Sequence, residues 1–282
     1  MKCAWQAYLN LLPHWMRQEV DQCGSEKLQE LHMRVGLNPI MSFGSVSRKL
    51  NRIVTYEDIS FVINAASEYS PWAARTLSKG YLTGYGGHRI GVCGAATIGD
   101  GSMCGIAKPT SLCLRVARDF DGISAKAAHV DDSLLIIGPP GSGKTTLLRD
   151  LIRTKSNLGQ GNISVVDERE ELFPLHKGQA CFYAGEYTDI LSGCRKAEGI
   201  EAVLRSMNPA WIAVDEITER EDADALLQAG WCGVKLLATA HAESVQDLMT
   251  RPIYKHLVDY KLFSTVLLLQ RDKSWKLERM YL

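Results

Sequence analysis

Residues 138–145 read Gly138-Pro139-Pro140-Gly141-Ser142-Gly143-Lys144-Thr145, and this octet constrains the fold more than any other stretch of the chain. It fits the pattern G-x-x-x-x-G-K-[ST], which needs a buried strand before it and a helix after it. The apolar run Leu134–Ile137 supplies the strand, and the amphipathic stretch 145–153 supplies the helix. Average residue usage produces such a match by chance in on the order of one chain in a hundred of this length, and the flanking pattern makes coincidence rarer. Glycines let successive backbone N–H groups turn inward around phosphate oxygens with no Cβ in the way. A helix starting near Lys144 adds the positive end of its dipole to the same place.

The rest of the chain sorts into two halves around this loop. Apolar runs at 134–137, 163–166, 211–214 and 236–238 show little polar alternation, and stretches with helical periodicity, such as 145–153 and 198–207, lie between them. Buried parallel strands joined by crossover helices have this signature. The runs 266–269 and 276–281, parted by the polar turn Asp272-Lys273, add a terminal hairpin. Before about Lys126 the pattern differs. Thr55 and Asp58 predict a capping box that opens a helix reaching Ser70, and Ser70-Pro71 restarts a second helix. The segment 80–105 is rich in glycine and alternates Tyr, Leu, Ile and Val as a β-meander does, with Gly99-Asp100-Gly101 as its hairpin turn. Leu112, Leu114 and Val116 form its last strand. The expected fold class is α/β: a domain with a mainly parallel sheet over 126–282, preceded by a smaller α+β domain over 1–125.

Ligands of open α/β sheets bind beyond the carboxyl ends of the strands, and here each strand end carries a residue suited to that place. The loop follows the first strand, Asp167-Glu168 the second, Asp215-Glu216 the third and Thr239-Ala240-His241 the fourth. Lys144 reaches the β- and γ-phosphates, and the Thr145 hydroxyl, with Thr146 beside it, faces the phosphates and ligates Mg²⁺. Of Asp215 and Glu216, one holds the metal while its neighbour orients or deprotonates the attacking water. Glu168 is the other candidate base, and the residues leave the choice between Glu216 and an acid at 167–168 open. Thr239 and His241 can donate to the γ-phosphate. A guanine-specifying N-K-x-D sequence is absent, so ATP is the expected nucleotide.

Composition narrows the partners. Lys+Arg and Asp+Glu stand at 32 each, which argues against a wholesale basic surface for duplex nucleic acid. The eight cysteines contain no C-x-x-C pair and no histidine at zinc-finger spacing, so neither a metal site nor a disulfide framework is expected, and the thiols read as reduced ones of a reducing cytosol. The first twelve residues lack a small-residue cleavage site, so a signal peptide is not expected. No apolar stretch approaches the ~18 residues that span a bilayer. The chain is expected to be cytoplasmic, with any membrane contact peripheral.

Taken in order, GPPGSGKTTLLRD, ISVVDEREEL, VLRSMNPAWIAVDEI and LLATAHAES resemble the ATPases of type II and type IV secretion, which carry Walker A, Asp-box, Walker B and His-box motifs in that order. The segments GYLTGYGGHRIGVCG and SLCLRVAR extend the resemblance, from about Leu31 onward, to the sporulation branch of that family. The resemblance implies a RecA-like ATPase domain behind a smaller N-terminal domain, working as a ring-shaped homo-oligomer, a hexamer by expectation. It implies nucleotide held between the domains, with arginines of the N-terminal domain closing over the phosphates. Arg89 in GGHRIG and Arg115 in LCLRVAR match those positions, Arg118 matches less well, and Arg205 matches the arginine that precedes Walker B. Membrane-embedded channel proteins of the sporulation apparatus are the implied partners; nucleic acid is not expected. Three positions depart from the pattern. Asp215 stands where the wider family has glycine and Glu216 where it has the acid, so Glu216 is the residue expected to be essential. Thr218 replaces an arginine, and Glu170 replaces a glycine of the sporulation branch. A single-strand-directed ATPase and a nucleotide-dependent scaffold are the alternative readings.

Overall fold

The computed structural model describes residues 1–68, 77, 80–99 and 102–281. The helix restart at Ser70-Pro71 and the turn residues Asp100-Gly101 therefore lie outside the described residues. The chain divides into two compact units: Met1–Asp119 together with Pro174–Phe182, and Phe120–Phe173 together with Tyr183–Leu282.

In the first unit, helices Trp5–Asn10, His14–Asp21 and Tyr56–Ser67 accompany an antiparallel sheet built from β1 (Glu30–Arg34), β2 (Ile40–Ser42), β3 (Ser47–Lys49), β4 (Tyr81–Thr83), β5 (Arg89–Gly99) and β6 (Ser102–Arg115). Their order across the sheet is β3-β2-β1-β6-β5-β4. Alternation sets the two faces: Leu31, Met33, Ile90, Val92, Leu112 and Leu114 point into the core. Glu30, His32, Arg89, Cys113 and Arg115, the intervening residues, are left on the other face. The capping box opens Tyr56–Ser67 as the sequence requires, with Asp58 N donating to Thr55 Oγ1 at 3.3 Å and Thr55 N donating to Asp58 Oδ2 at 2.9 Å.

His88, the one histidine of GGHRIG, ties this unit together. It is fully buried. Its Nδ1 accepts from Ala117 N at 3.0 Å, so its proton sits on Nε2, which donates to Ala4 O at 2.9 Å. Burial pushes its pKa down from 6.5 to about 4, aided by the nearby Arg118 charge. A histidine with a depressed folded-state pKa contributes stability that is complete above pH 6.5 and lost as pH falls through 4. The gap between those two values corresponds to about 3 kcal/mol. Chemical denaturation of the whole chain at pH 7 and pH 4 should show this loss, and His88→Gln should show much less of it. An unchanged difference between the two pH values in the variant would contradict this role.

The second unit is built on a seven-stranded sheet. Its strands are β7 (Leu134–Ile137), β8 (Ile163–Asp167), β11 (Thr188–Ser192), β12 (Trp211–Val214), β13 (Lys235–Ala240), β14 (Thr265–Leu269) and β15 (Trp275–Arg279). Between β8 and β11 the chain makes a short hairpin, β9 (Leu175–His176) and β10 (Gln179–Ala180), which belongs to the first unit although the sequence pattern groups it with the second half. The sheet order is β11-β8-β12-β13-β7-β14-β15, with every pairing parallel except the last. Strands β7, β8 and β12 are buried at every position, as strands covered on both faces must be. β11 escaped the sequence reading because it is a half-exposed edge strand, TDILS, with polar residues at three of its five positions. Parallel pairing places the carboxyl ends of β7, β8, β12, β13 and β14 along one edge, and the chain leaves β7 in the interior of the sheet.

The helix after the loop, Lys144–Asn157, is pinned along its length. Asp150 accepts from Gly122 N at 3.0 Å and Ser124 N at 2.7 Å. Lys155, fully buried, donates to Ala128 O, Val130 O and Gln160 Oε1 and stands 4.2 Å from the centroid of the Trp211 ring. These contacts fix the turns at 120–130 against the helix that carries Lys144 and Thr145 at its start.

Candidate active site

The loop's shape follows from its glycines. A Cβ on Gly138 would meet Leu269 O and Ser142 Oγ, each at 2.9 Å, so only glycine lets the chain leave β7 this close to the end of β14. Gly143 has φ +104°, in the region L side chains avoid. Ser142 Oγ is buried in the loop with no hydrogen-bond partner among the described residues. A buried polar atom left unpaired costs free energy, and in a loop with the first-turn N–H groups of a helix beside it the fitting partner is an anion. The residues present thus suit a phosphate.

Two hydrogen-bonded chains meet at this loop. In the first, Lys144 Nζ donates to Gly138 O at 3.0 Å and Pro139 O at 3.1 Å and lies 3.1 Å from His241 Nδ1. An ammonium only donates, so Nδ1 is the acceptor and the ring proton belongs on Nε2. His241 Nε2 lies 3.0 Å from Glu216 Oε1, and the other carboxylate oxygen lies 3.8 Å from Arg169. In the second, Thr145 Oγ1 donates to Asp215 Oδ2 at 2.7 Å, Thr239 Oγ1 donates to Asp215 Oδ1 at 2.6 Å, and Glu216 N donates to Thr239 Oγ1 at 2.8 Å. Burial holds the Lys144 ammonium below the usual lysine range, against the pull of Asp215 and Glu216. Glu216 itself adopts φ +47°, a left-handed conformation that costs a non-glycine residue roughly 1–2 kcal/mol and recurs at functional sites.

A hydroxyl and a carboxylate oxygen at 2.7 Å are hard donors of the kind Mg²⁺ takes, and Thr145 and Asp215 form that pair. The acid in contact with the Thr145 hydroxyl is therefore Asp215, while Glu216 is turned toward His241. The two acids of the Asp-box have different partners. Asp167 is buried and accepts from the backbone N–H groups of Glu171, Leu172 and Phe173 at 2.8–3.0 Å. Arg149 holds the carbonyls of Glu171 and Leu172 from the other side. Asp167 is thus an anchor for the turn, and burial raises its carboxyl pKa to about 6. Glu168 pairs with the buried Lys196 at 2.7 Å, and Lys196 lies 3.5 Å from Asp222. Glu170 takes φ +55°, so it holds the backbone shape that a glycine would adopt at that position.

Sequence reasoning missed Arg169 and Lys196. Both line one small crevice with Glu168, Asp215 and Glu216. Arg169 follows the acid pair in VVDER and could have been marked by that adjacency; Lys196 follows the unrecognised edge strand and carried no signal.

Residues 6–280 match the profile of the family described as "Sporulation stage III, protein AA". The chain is 39% identical over 230 residues to the stage III sporulation protein AA of Bacillus subtilis, covering 78% of this chain and 75% of that one. It belongs to the stage III sporulation protein AA family. Among solved structures, this family member has the fold of the pilus retraction motor PilT with bound ADP, at TM-score 0.59 and 17% identity over 89% of this chain and 76% of that one. The ATPase DotB of Legionella pneumophila matches at TM-score 0.57 and 18% identity, over 95% and 80%. The fold class is the expected one: an α/β, RecA-like domain with a mainly parallel sheet behind a smaller α+β domain. No helix among the described residues is long and apolar enough to cross a membrane.

The structure thus brings together Lys144, Thr145, Asp215, Glu216, Thr239 and His241 in the second unit of this family member. Arg89 and Arg115 it brings together in the first. They face each other in register on β5 and β6, with the Arg89 guanidinium 4.2 Å from the centroid of the Tyr81 ring and Arg115 Nε 3.2 Å from Glu30 Oε1. Arg118 is committed to the carbonyls of Ser25 and Leu28. Arg205 pairs one turn back with Glu201 on an exposed helix face.

Proposed function

We propose that this protein binds ATP with Mg²⁺, hydrolyses it, and acts as the motor of a membrane-associated channel or transport apparatus during sporulation, working as a ring of identical subunits, a hexamer by expectation. The observation that carries the reading is the meeting of the two side-chain chains at one loop, Lys144–His241–Glu216 and Thr145–Asp215–Thr239. Bound ATP·Mg²⁺ supplies the phosphoanhydride bond and the divalent charge that loosens it. Lys144 and the loop N–H groups hold the phosphates, Thr145 and Asp215 hold the metal, and Glu216, kept in place by His241 and a strained backbone, orients water and takes its proton. Thr239 joins the two chains, because its hydroxyl both donates to Asp215 and accepts from Glu216 N.

Arg89 and Arg115 supply cations to the nucleotide in the assembled ring. Like charges directly opposite on neighbouring strands are unfavourable by a few tenths of a kcal/mol or more; Glu30 offsets part of this at Arg115, and a bound anion offsets more. Two arginines in register on a half-open face suit phosphate for that reason. Light scattering of the purified chain should therefore show a larger particle with ATP and Mg²⁺ than without, and the double variant Arg89→Ala, Arg115→Ala should lose the increase. A particle size indifferent to nucleotide in the unmodified protein would contradict the ring. Turnover should require Mg²⁺ and stop on chelation. Tight ATP binding with no turnover, even beside membrane partners, would favour the scaffold reading.

A further inference from the structure

Among the described residues, one cluster of side chains of metal-ligating type assembles outside the phosphate loop from residues far apart in sequence. Glu30 and His32 lie two apart on β1, and Cys113 stands opposite His32 on β6. All three point to the half-open face of the first unit's sheet, because Leu31, Met33, Leu112 and Leu114 between them fill the core. His32 Nε2 is 3.2 Å from Glu30 Oε2 and 3.8 Å from Cys113 Sγ, and the three donor atoms lie within 4.8 Å of one another. We propose that Glu30, His32 and Cys113 form a zinc site on this face.

The spacing suits a metal of this kind. Tetrahedral zinc, with bonds of about 2.0–2.3 Å to nitrogen, oxygen and sulfur, sets its ligand atoms roughly 3.3–3.6 Å apart. Two of the separations, 3.2 and 3.8 Å, bracket that range and the third lies within 4.8 Å, so side-chain rotations close the site. One thiolate with one imidazole favours zinc over magnesium or calcium, which take oxygen donors. Nearby cations do not forbid it. Arg115 touches Glu30 and lies, with Arg34, near Cys113; a thiolate and a carboxylate together cancel the two charges of Zn²⁺, leaving a neutral centre. The two carboxylate oxygens divide the work: Oε1 faces Arg115 and Oε2 faces His32. Three protein ligands leave a fourth position for water. Cys93 shares the face, lying opposite Ser111 on β6, but it is not within the cluster. Spacing rules applied to the sequence could not find this site, because strand pairing joins His32 and Cys113 across 81 positions of chain.

Cobalt(II) reports thiolate ligation by a sulfur-to-metal charge-transfer absorption, which a magnesium-type site of hydroxyl and carboxylate oxygens cannot give. Metal-free chain titrated with cobalt(II) should develop this absorption and saturate at one equivalent, and zinc should displace it. Cys113→Ser should abolish the band, Cys93→Ser should keep it, and His32→Ala should weaken zinc binding by more than the roughly 10–100-fold that loss of an outer-shell partner costs. Glu30→Gln should weaken it as well, and this variant carries the test if loss of Cys113 compromises folding as read by circular dichroism. A wild-type chain with no charge-transfer band, or a band that survives Cys113→Ser, would overturn the proposal.

Discussion

Replacing Lys144 with alanine is expected to lower ATP turnover by roughly 10²–10³-fold, the cost of removing one preorganised donor from a site of developing negative charge. Lys144 is buried, and its ammonium is surrounded by two carbonyls and an imidazole nitrogen, with no carboxylate among the described residues in direct contact. Burial already holds its pKa below the usual range, so the group is a desolvated cation whose best counter-charge is a phosphate. The same variant should lose the stabilisation that ATP gives the parent chain, about 2.7 kcal/mol at a hundredfold excess over Kd, while its melting temperature without nucleotide stays close to that of the parent. Denaturation monitored with and without ATP separates loss of binding from loss of fold. Undiminished turnover in the variant would remove the loop from the account.

Glu216→Gln should lower turnover by on the order of 10²–10⁴-fold, the range for loss of a positioned base, while leaving Mg²⁺-dependent ATP binding in place. Asp215→Asn should do the reverse first, weakening the Mg²⁺-dependent part of binding, because Asp215 is the acid in contact with Thr145. The geometry separates the two neighbours: one accepts from the Thr145 hydroxyl, and the other faces His241 Nε2 at 3.0 Å with its backbone left-handed. The side-chain amide introduced by Glu216→Gln can still accept from His241 but cannot take a proton from water. Equilibrium binding and single-turnover rates on the two variants read the division. Full turnover by Glu216→Gln, or equal loss of binding by both variants, would contradict it.

Much of this was legible in the sequence because local chemistry and tertiary demand agree there. Four apolar runs became buried parallel strands, and the residues just beyond them converged, since parallel pairing leaves no other place for strand ends to go. The box of Thr55 and Asp58 is fixed by contacts three residues apart and needs nothing from the rest of the fold. Partnerships were what the sequence could not show. Asp167 reads as a catalytic acid by position, yet three backbone N–H groups claim it. His88 reads as one letter of a motif, yet it bridges Ala4 and Ala117. β11 and the β9–β10 hairpin were invisible because half-exposed, polar and very short strands carry no hydrophobic period. Arg118 was the weaker match to the family's arginines, and its guanidinium donates to the carbonyls of Ser25 and Leu28, partners that no local pattern announces.

The most direct measurement is a crystal structure of the Glu216→Gln variant grown with ATP and Mg²⁺. The account predicts a triphosphate cradled by 138–145, with Lys144 moved from the carbonyls of Gly138 and Pro139 onto phosphate oxygens. Thr145 and Asp215 should bracket one metal ion, and His241 should lie within hydrogen-bonding reach of the terminal phosphate. Nucleotide bound elsewhere on the chain, with Lys144 still hydrogen-bonded to those carbonyls, would contradict it.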